Sequence, residues 1–211
     1  MPLQVDQIPL PPIGTNCYVV RERGSSEAAV VDPGGAPSEL RLELARLGVR
    51  CVAILITHGH WDHLGAVADL AEASGAKVYM PEGERGTLES PLAPAGVRVP
   101  PYEPDVLLNG GETLEVAGIT FEVLSVPGHS PAHLAYATED ALFSGDVLFE
   151  GGVGRVDLPG GDWDTLLDSI RMLGERFPPE TVVYSGHGPP TTLGAELERN
   201  PFLGELRAGR R

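Results

Sequence analysis

One short run of the chain, Thr57-His58-Gly59-His60-Trp61-Asp62-His63, holds three of its six histidines together with a carboxylate. The run follows the apolar segment Cys51–Ile56, which predicts a buried strand, and it precedes a predicted helix that begins near Leu64. Imidazole nitrogen and carboxylate oxygen are the ligands of zinc and similar cations, at ~2.0–2.2 Å. The sequence therefore predicts a metal site where a buried strand ends.

Three further polar residues follow predicted strands in the second half of the chain. His129, Asp146 and His187 each come directly after a glycine, and each glycine closes or follows an apolar segment. A small residue before a ligand allows close approach of the backbone. Taken singly, Asp146 has the alternative of a turn acid and His129 that of a helix cap. The repetition beside the 57–63 run favours ligation of metal.

With these positions the chain resembles the metallo-β-lactamase superfamily, whose ligand pattern is His-x-His-x-Asp-His followed by a distant His, Asp and His. The resemblance runs from about Asn16 to His187. Within the superfamily the chain is most similar to the glyoxalase II-type hydrolases, particularly their short bacterial members. The segments 154–157 (Gly-Arg-Val-Asp) and 200–202 (Asn-Pro-Phe) support this narrower match.

The resemblance implies an α+β fold, a four-layer αββα sandwich, with two divalent metal ions (zinc, iron or manganese) between the sheet edges. We expect one domain over residues 1–211 without a C-terminal helical substrate domain, since 24 residues follow His187. Carried over by position, the ligands of the first metal are His58, His60 and His129, those of the second are Asp62, His63 and His187, and Asp146 bridges both.

Two other residues near the predicted site receive supporting roles. His133 is the one histidine without a ligand role in the resemblance, and we interpret it as a structural hydrogen-bond partner. Asp32 ends a predicted strand that faces the site region. It is interpreted either as a residue that holds loop backbone or orients a ligand histidine, or as a plain turn residue.

Hydrolysis of a small-molecule thioester is the predicted activity. Two adjacent cations lower the pKa of a shared water toward ~7, and the metal-bridging hydroxide then attacks a carbonyl carbon. Asp62 is the predicted catalytic residue, which holds this nucleophile and accepts its remaining proton. No general acid is evident beyond the ligands, which favours a thiolate leaving group, because thiol pKa values lie near ~8.5.

Glutathione is the carrier that the glyoxalase II resemblance implies, and Arg155 is the predicted substrate-binding residue. The longer enzymes bind the glutathione backbone with a lysine in the loop after the bridging aspartate, and an aromatic residue lies two positions further on. Arg155 keeps the positive charge of that lysine, but Asp157 replaces the aromatic residue. An ion pair within the loop is the alternative interpretation of Arg155 and Asp157.

Other functions share the same pattern. A persulfide dioxygenase would use one iron held by His58, His129 and Asp146, a two-histidine, one-carboxylate set suited to oxygen chemistry. A lactonase and a non-catalytic metal-binding scaffold are the remaining alternatives. Iron content and oxygen consumption would distinguish the dioxygenase from the hydrolase.

Composition and hydropathy limit the partners and the compartment that the sequence predicts. The formal net charge of −15 argues against a nucleic-acid partner. No apolar run reaches the ~18–20 residues of a membrane helix, and the first residues lack a secretory pattern. Cys17 and Cys51 lie in apolar runs, which predicts buried, reduced thiols and a cytoplasmic protein.

Strands dominate both halves of the predicted fold, with helices interspersed. The predicted helices are Pro37–Leu47, one from Leu64 to about Gly75, and Asp164–Phe177 with Asp162 or Asp164 as its cap. The predicted strands are Leu3–Ile8, Asn16–Arg21, Ala28–Val31, Cys51–Ile56, Lys77–Met80, Thr113–Val116, Ile119–Val126, Leu134–Thr138, Ala141–Ser144 and Thr181–Ser185. The segment Pro81–Glu112 holds many prolines and is expected to be irregular.

Overall fold

The computed structural model describes residues 2–208, which form two six-stranded sheets and a two-stranded ribbon. The first sheet contains, in spatial order, β1 (Leu3–Leu10), β2 (Thr15–Glu22), β3 (Glu27–Val31), β4 (Arg50–Leu55), β5 (Lys77–Pro81) and β6 (Val106–Leu108). Strands β1 to β3 are antiparallel, whereas β3 to β6 run parallel. The parallel strands end at the same edge of the sheet, and that edge carries the site.

The second sheet is assembled from the other half of the chain. Its strands are β7 (Thr113–Val116), β8 (Ile119–Ser125), β9 (Leu134–Ala137), β10 (Ala141–Gly145), β13 (Val182–Ser185) and β14 (Thr191–Thr192), in the spatial order β14-β13-β10-β9-β8-β7. Strands β10 and β13 are parallel neighbours. The ribbon of β11 (Leu148–Phe149) and β12 (Gly152–Val153) follows β10 directly.

Helices cover the outer faces of both sheets. They are α1 (Pro37–Leu47), α2 (Trp61–Leu64), α3 (Val67–Ser74), α4 (Arg85–Glu89), α5 (Trp163–Arg176), α6 (Leu193–Arg199) and α7 (Gly204–Ala208), with 3-10 turns at Glu82–Glu84 and Pro201–Leu203. No helix within residues 2–208 combines the length and the apolar character that crossing a bilayer requires.

Three apolar clusters hold these layers together. One joins the first sheet to α1 and α3, and includes Leu40, Ile54 and Leu70. A second lies between the two sheets and includes Tyr18 and Phe143. The third joins the second sheet to α5 and α6. Because each sheet buries one face against helices and the other against its partner sheet, the predicted αββα layering is confirmed.

Two local predictions were wrong. Segment 81–112 is not wholly irregular, since it contains a 3-10 turn, α4 and the edge strand β6; these elements are too short to show a periodicity. The helix predicted from Leu64 begins at Trp61, so that Asp62 and His63 lie in its first turn. It is interrupted after Leu64 because the next two amides, of Gly65 and Ala66, donate to carbonyls of the 33–34 turn. The predicted Asp162 cap of α5 is confirmed, since its carboxylate accepts from the amide of Thr165 at 2.8 Å.

Candidate metal centre

Three histidines form the first half of the cluster at the strand ends. His58 and His60 follow β4, and His129 follows β8 in the other sheet. The Nε2 atom of His58 lies 3.1 Å from Nδ1 of His60, which lies 2.9 Å from Nε2 of His129. Their ligand atoms thus point at one small volume, and we call this set the first trio.

Asp62, His63 and His187 form a second trio beside the first. Asp62 and His63 belong to α2, whereas His187 follows β13. The Oδ2 atom of Asp62 lies 3.4 Å from Nε2 of His63 and 3.4 Å from Nε2 of His187. The short helix α2 therefore turns two side chains toward the second half of the cluster.

Asp146 lies between the two trios. Its Oδ2 atom is 3.6 Å from Nε2 of His129 and 3.4 Å from Nε2 of His187, while Oδ1 is 3.4 Å from Nε2 of His63. Asp146 follows β10, whose last residue, Gly145, has a φ of 50°. The carboxylate thus lies within 3.6 Å of histidines from both trios.

This donor set fits two divalent cations. Ligands placed ~2.0–2.2 Å from a tetrahedral ion are ~3.3–3.6 Å apart. The separations around Asp146 and within the second trio, 3.4–3.6 Å, match this range, and those of the first trio, 2.9 and 3.1 Å, are slightly shorter. The Nε2 atom of His63 and the Oδ1 atom of Asp146 are buried and have no hydrogen-bond partner within residues 2–208. Buried polar atoms are rarely left unpaired, so these two indicate positions that a cation would satisfy.

Two histidines of the first half, His58 and His60, have lowered pKa values. Burial takes the pKa of His58 well below its ordinary value. Burial, together with the neighbouring His129, lowers the pKa of His60 from 6.5 to about 4. A neutral imidazole keeps its lone pair, so both side chains can ligate a cation without first losing a proton.

Carboxylates dominate the electrostatics of the second half. Contacts with Asp146 and Asp62 raise the pKa of His187 from 6.5 to about 9. Burial alone would raise the pKa of Asp62, but contacts with His187 and His63 lower it to about 2. In the metal-free protein a protonated imidazole thus neutralises the carboxylates, and a cation must displace that proton.

Asp32 supports the cluster from the turn after β3. Its Oδ1 accepts from the amide of Thr57 at 2.8 Å, and its Oδ2 accepts from the hydroxyl of Thr57 at 2.7 Å. Oδ2 also lies 3.0 Å from Nδ1 of His63. Because Nδ1–H donates to this carboxylate, the other ring nitrogen of His63, Nε2, is the one that faces the cluster. The structure thus places Asp32 against loop backbone and a histidine at once.

His133 is buried behind the first trio. Its ring stacks on His58, with centroids 4.6 Å apart and planes 18° apart. Its Nε2 accepts from the amide of Asp146 at 3.2 Å. The His133 ring therefore contacts the main chain of Asp146 and packs against the ring of His58.

Arg155 contributes to the site through its backbone. Its carbonyl oxygen lies 2.7 Å from Nδ1 of His129, which sets the orientation of that ring. Its guanidinium instead pairs with Asp157 on the surface, through two contacts of 2.7 Å. The ion pair within the loop, the alternative interpretation of this side chain, is therefore present.

Two residues that sequence analysis missed complete the surroundings. The hydroxyl of Thr15 donates to Oδ2 of Asp62 at 2.8 Å. Glu84, which is buried, accepts from the amide of Gly59 at 2.5 Å, the hydroxyl of Ser130 at 2.6 Å and the amide of Ala132 at 3.0 Å. Thr15 opens a strand and Glu84 lies in the 81–112 segment, so neither carried a recognisable signal.

A cleft of about 450 Å³ adjoins the first trio, and His60 is part of its wall. The other lining residues come from the loop after β4, the start of α2, the turn before α4, α4 itself, the segment after α4 and the loops after β8 and β12. They are Gly59, Trp61, Gly83, Glu84, Gly86, Thr87, Ser90, Leu92, Ser130, Pro131, Leu158 and Pro159. A cleft of this size, open at a cluster of ligand side chains, is large enough to accept part of a small molecule.

Known proteins share this architecture. The family model of the metallo-beta-lactamase superfamily matches residues 10–187. The hydroxyacylglutathione hydrolase GloC of Haemophilus influenzae is 34% identical over 209 residues, which cover 95% of this chain and 98% of GloC. The crystal structure of BLEG-1 B3 metallo-beta-lactamase is 42% identical with a TM-score of 0.90 over 95% of this chain and 100% of that one. TTHA1623 in a di-iron-bound form is 40% identical with a TM-score of 0.78, over 94% and 100%.

The chain therefore belongs to the metallo-beta-lactamase superfamily, which confirms the family resemblance of the sequence. This fold binds divalent metals, and its members include metal-dependent hydrolases. The clustered histidines and aspartates of residues 2–208 provide such a centre here.

Proposed function

We propose that this protein is a metal-dependent hydrolase of small-molecule thioesters, glutathione-derived thioesters among them. One observation carries the proposal: the cluster has ligands but no dedicated proton donor. Within residues 2–208, its seven side chains make no hydrogen bond or ion pair to a lysine, arginine, tyrosine or cysteine side chain. Such a site favours a leaving group that departs as an anion, and a thiolate does so because thiol pKa values lie near ~8.5.

The seven clustered side chains divide the work between them. His58, His60 and His129 would hold one cation, Asp62, His63 and His187 the other, and Asp146 would contact both. Two bound cations would supply an acidified water and a Lewis acid for the carbonyl oxygen. Asp62 orients the attacking water and accepts its proton, while Thr15 holds the Asp62 carboxylate in place. Asp32 keeps His63 in the tautomer that presents Nε2.

Likeness to GloC supports the thioester, because the name of that protein describes hydrolysis of a hydroxyacylglutathione. The buried free thiols of Cys17 and Cys51 support action in the cytoplasm. The net charge of −15 supports a small-molecule partner over a nucleic acid.

Hydrolysis of β-lactams is a second candidate, since BLEG-1, at 42% identity, carries the name of a B3 metallo-beta-lactamase. The amide nitrogen released in that reaction needs a proton as it leaves, for which the described cluster offers no separate donor. The dioxygenase alternative would need one iron only. The buried Nε2 of His63 and Oδ1 of Asp146, which have no hydrogen-bond partner within residues 2–208, support a second cation instead.

Metal analysis and three assays test the proposal on the purified full-length chain. We expect two divalent ions per chain, hydrolysis of S-D-lactoylglutathione, slower hydrolysis of a cephalosporin, and no oxygen uptake with glutathione persulfide. Asp146→Asn should lose both metal and thioester hydrolysis, while the exposed control Asp140→Asn should keep both. One iron per chain with oxygen uptake and no hydrolysis would overturn the proposal, and preference for the cephalosporin would favour the second candidate.

A further inference from the structure

We infer that the cleft beside His60 binds the acyl group of the substrate, and that this protein prefers thioesters of extended apolar acyl groups to those of small hydroxyacyl groups. The inference rests on the proposed thioester hydrolysis and adds the class of acyl group. Its starting point is the position of the cleft, since His60 belongs both to the first trio and to the cleft wall. A thioester whose carbonyl carbon reacts at the cluster therefore has either its acyl substituent or its thiol carrier next to the cleft, and the chemistry of the cleft wall decides between them.

The side chains that line the cleft are largely apolar. Trp61, Leu92, Pro131, Leu158 and Pro159 present rings and methyl groups to it. Leu92 is 91% exposed, the most exposed of the large hydrophobic side chains within residues 2–208. An apolar side chain held in water at the mouth of a cleft gains free energy when an apolar ligand covers it.

Three polar side chains of the cleft, those of Glu84, Thr87 and Ser130, already have protein partners. Both carboxylate oxygens of Glu84 accept protein donors, one of them the hydroxyl of Ser130. The hydroxyl of Thr87 donates to the carbonyl of Glu84 at 2.7 Å. Hydroxyl groups on an acyl chain would have to compete for Glu84, Thr87 and Ser130 with these existing partners, and burying such hydroxyls without a partner would be costly.

Among residues 2–208, the lining of the cleft contains no lysine or arginine, and its one carboxylate is that of Glu84. The carboxylates of a glutathione carrier would meet no counter-charge in it, whereas an uncharged acyl chain requires none. The cleft consequently fits the acyl side of the thioester and excludes an anionic carrier.

Chain length provides the quantitative test. Burial of one methylene contributes ~0.8 kcal/mol, which is a factor of about four in kcat/KM. Because the cleft is partly open, we expect about a twofold to fourfold rise per methylene. The series is acetyl, butyryl, hexanoyl and octanoyl thioesters of N-acetylcysteamine, assayed with the metal-loaded full-length protein and compared with S-D-lactoylglutathione.

Two leucine variants make the test specific to the cleft. Leu92→Asp places a charge at the cleft mouth and should flatten the dependence on chain length to less than twofold overall. Leu42→Asp, at an exposed site on α1 outside the cleft, should leave the dependence unchanged. Equal rates across the series in the wild-type protein, or an unaltered series in Leu92→Asp, would overturn the inference while leaving thioester hydrolysis standing.

A binding measurement decides the matter independently of turnover. Ketone analogues, in which a methylene replaces the thioester sulfur, are titrated by calorimetry into the wild-type and Leu92→Asp proteins. Tighter binding of the octanoyl analogue than of the acetyl analogue, lost in Leu92→Asp, supports the cleft even if no thioester is hydrolysed. In that event only the proposed function is contradicted. Equal affinities of the wild-type protein for the octanoyl and acetyl analogues would contradict the inference.

Discussion

The Oδ2 atom of Asp32 lies 3.0 Å from Nδ1 of His63, and this contact determines which nitrogen of His63 faces the cluster. Asp32 adopts a φ of 49°, a backbone conformation that aspartate and asparagine tolerate better than most residues. The carboxylate can therefore be replaced by an amide without a change of backbone, which isolates its electrostatic role.

Asp32→Asn should weaken metal binding by about tenfold to a hundredfold. An amide NH₂ directed at Nδ1 would favour the tautomer that is protonated at Nε2, and such a nitrogen cannot ligate a metal. Competition with a chelator, with the metal released measured by atomic emission, gives the affinity. Asp140→Asn is the matched control, and equal affinities of the two variants would contradict this role of Asp32.

Glu84→Gln should lower both stability and occupancy of the first trio. The carboxylate of Glu84 bonds to Gly59, before His60, and to Ser130, after His129, so it joins the loops that carry these ligands. Loss of its charge weakens these contacts and should cost about 1.5–3 kcal/mol of unfolding free energy. Urea denaturation with metal analysis measures both effects, and Glu82→Gln, in the same turn but exposed, is the control.

Gly186→Ala should remove metal with little effect on the fold elsewhere. An added Cβ at this position would lie 2.0 Å from Oδ1 of Asp146 and 2.8 Å from Cε1 of His63, so the carboxylate must move. A displacement of about 1 Å in such a group costs on the order of a hundredfold in rate. Steady-state kinetics and metal content check this, with Gly204→Ala as the control in open surroundings.

His133→Ala should leave two metals per chain but lower stability. The amide of Asp146 loses its acceptor at the His133 ring, a cost of about 1–3 kcal/mol for a buried donor. Thermal unfolding and metal analysis on the same sample separate the two effects. Complete loss of metal from this variant would show that His133 is itself a ligand.

The metal-free protein should become less stable as the pH rises from 6.5 to about 9. The pKa of His187 is raised in the folded state to about 9, above its ordinary value of 6.5. Its contribution is therefore fully present below pH 6.5 and is lost as the pH passes the folded-state value. Urea titrations at pH 6.5, 8 and 9.5 measure this loss.

Metal loading should reverse that trend, because a cation replaces the proton on His187. Addition of zinc to metal-free protein at pH 8 in weak buffer should release protons, and affinity should increase with pH up to about 9. A calorimetric series in buffers of different ionisation enthalpy counts the protons. Zero release at pH 8 would contradict a protonated His187.

The candidate residues of the cluster were predictable as a group, because the 57–63 run follows one apolar strand and the other three residues follow strands of the second sheet. Their assignment as metal ligands came from the family resemblance. His129, Asp146 and His187 stand after such segments at positions far apart in sequence. The layered α+β fold was predictable for the same reason, since period and apolar content are local properties.

Only the tertiary structure decided what surrounds those residues. Glu84 bonds to residues that are 25 to 48 positions away in sequence, and Thr15 bonds to Asp62 across 47 positions. No local sequence pattern encodes such contacts. The cleft likewise combines Leu92, Pro131 and Leu158 from three separate segments. The type of ligand atom is a property of each side chain and can be seen in the sequence. The orientation of each ligand, its pKa and the shape of the cleft depend on neighbours that only folding brings together.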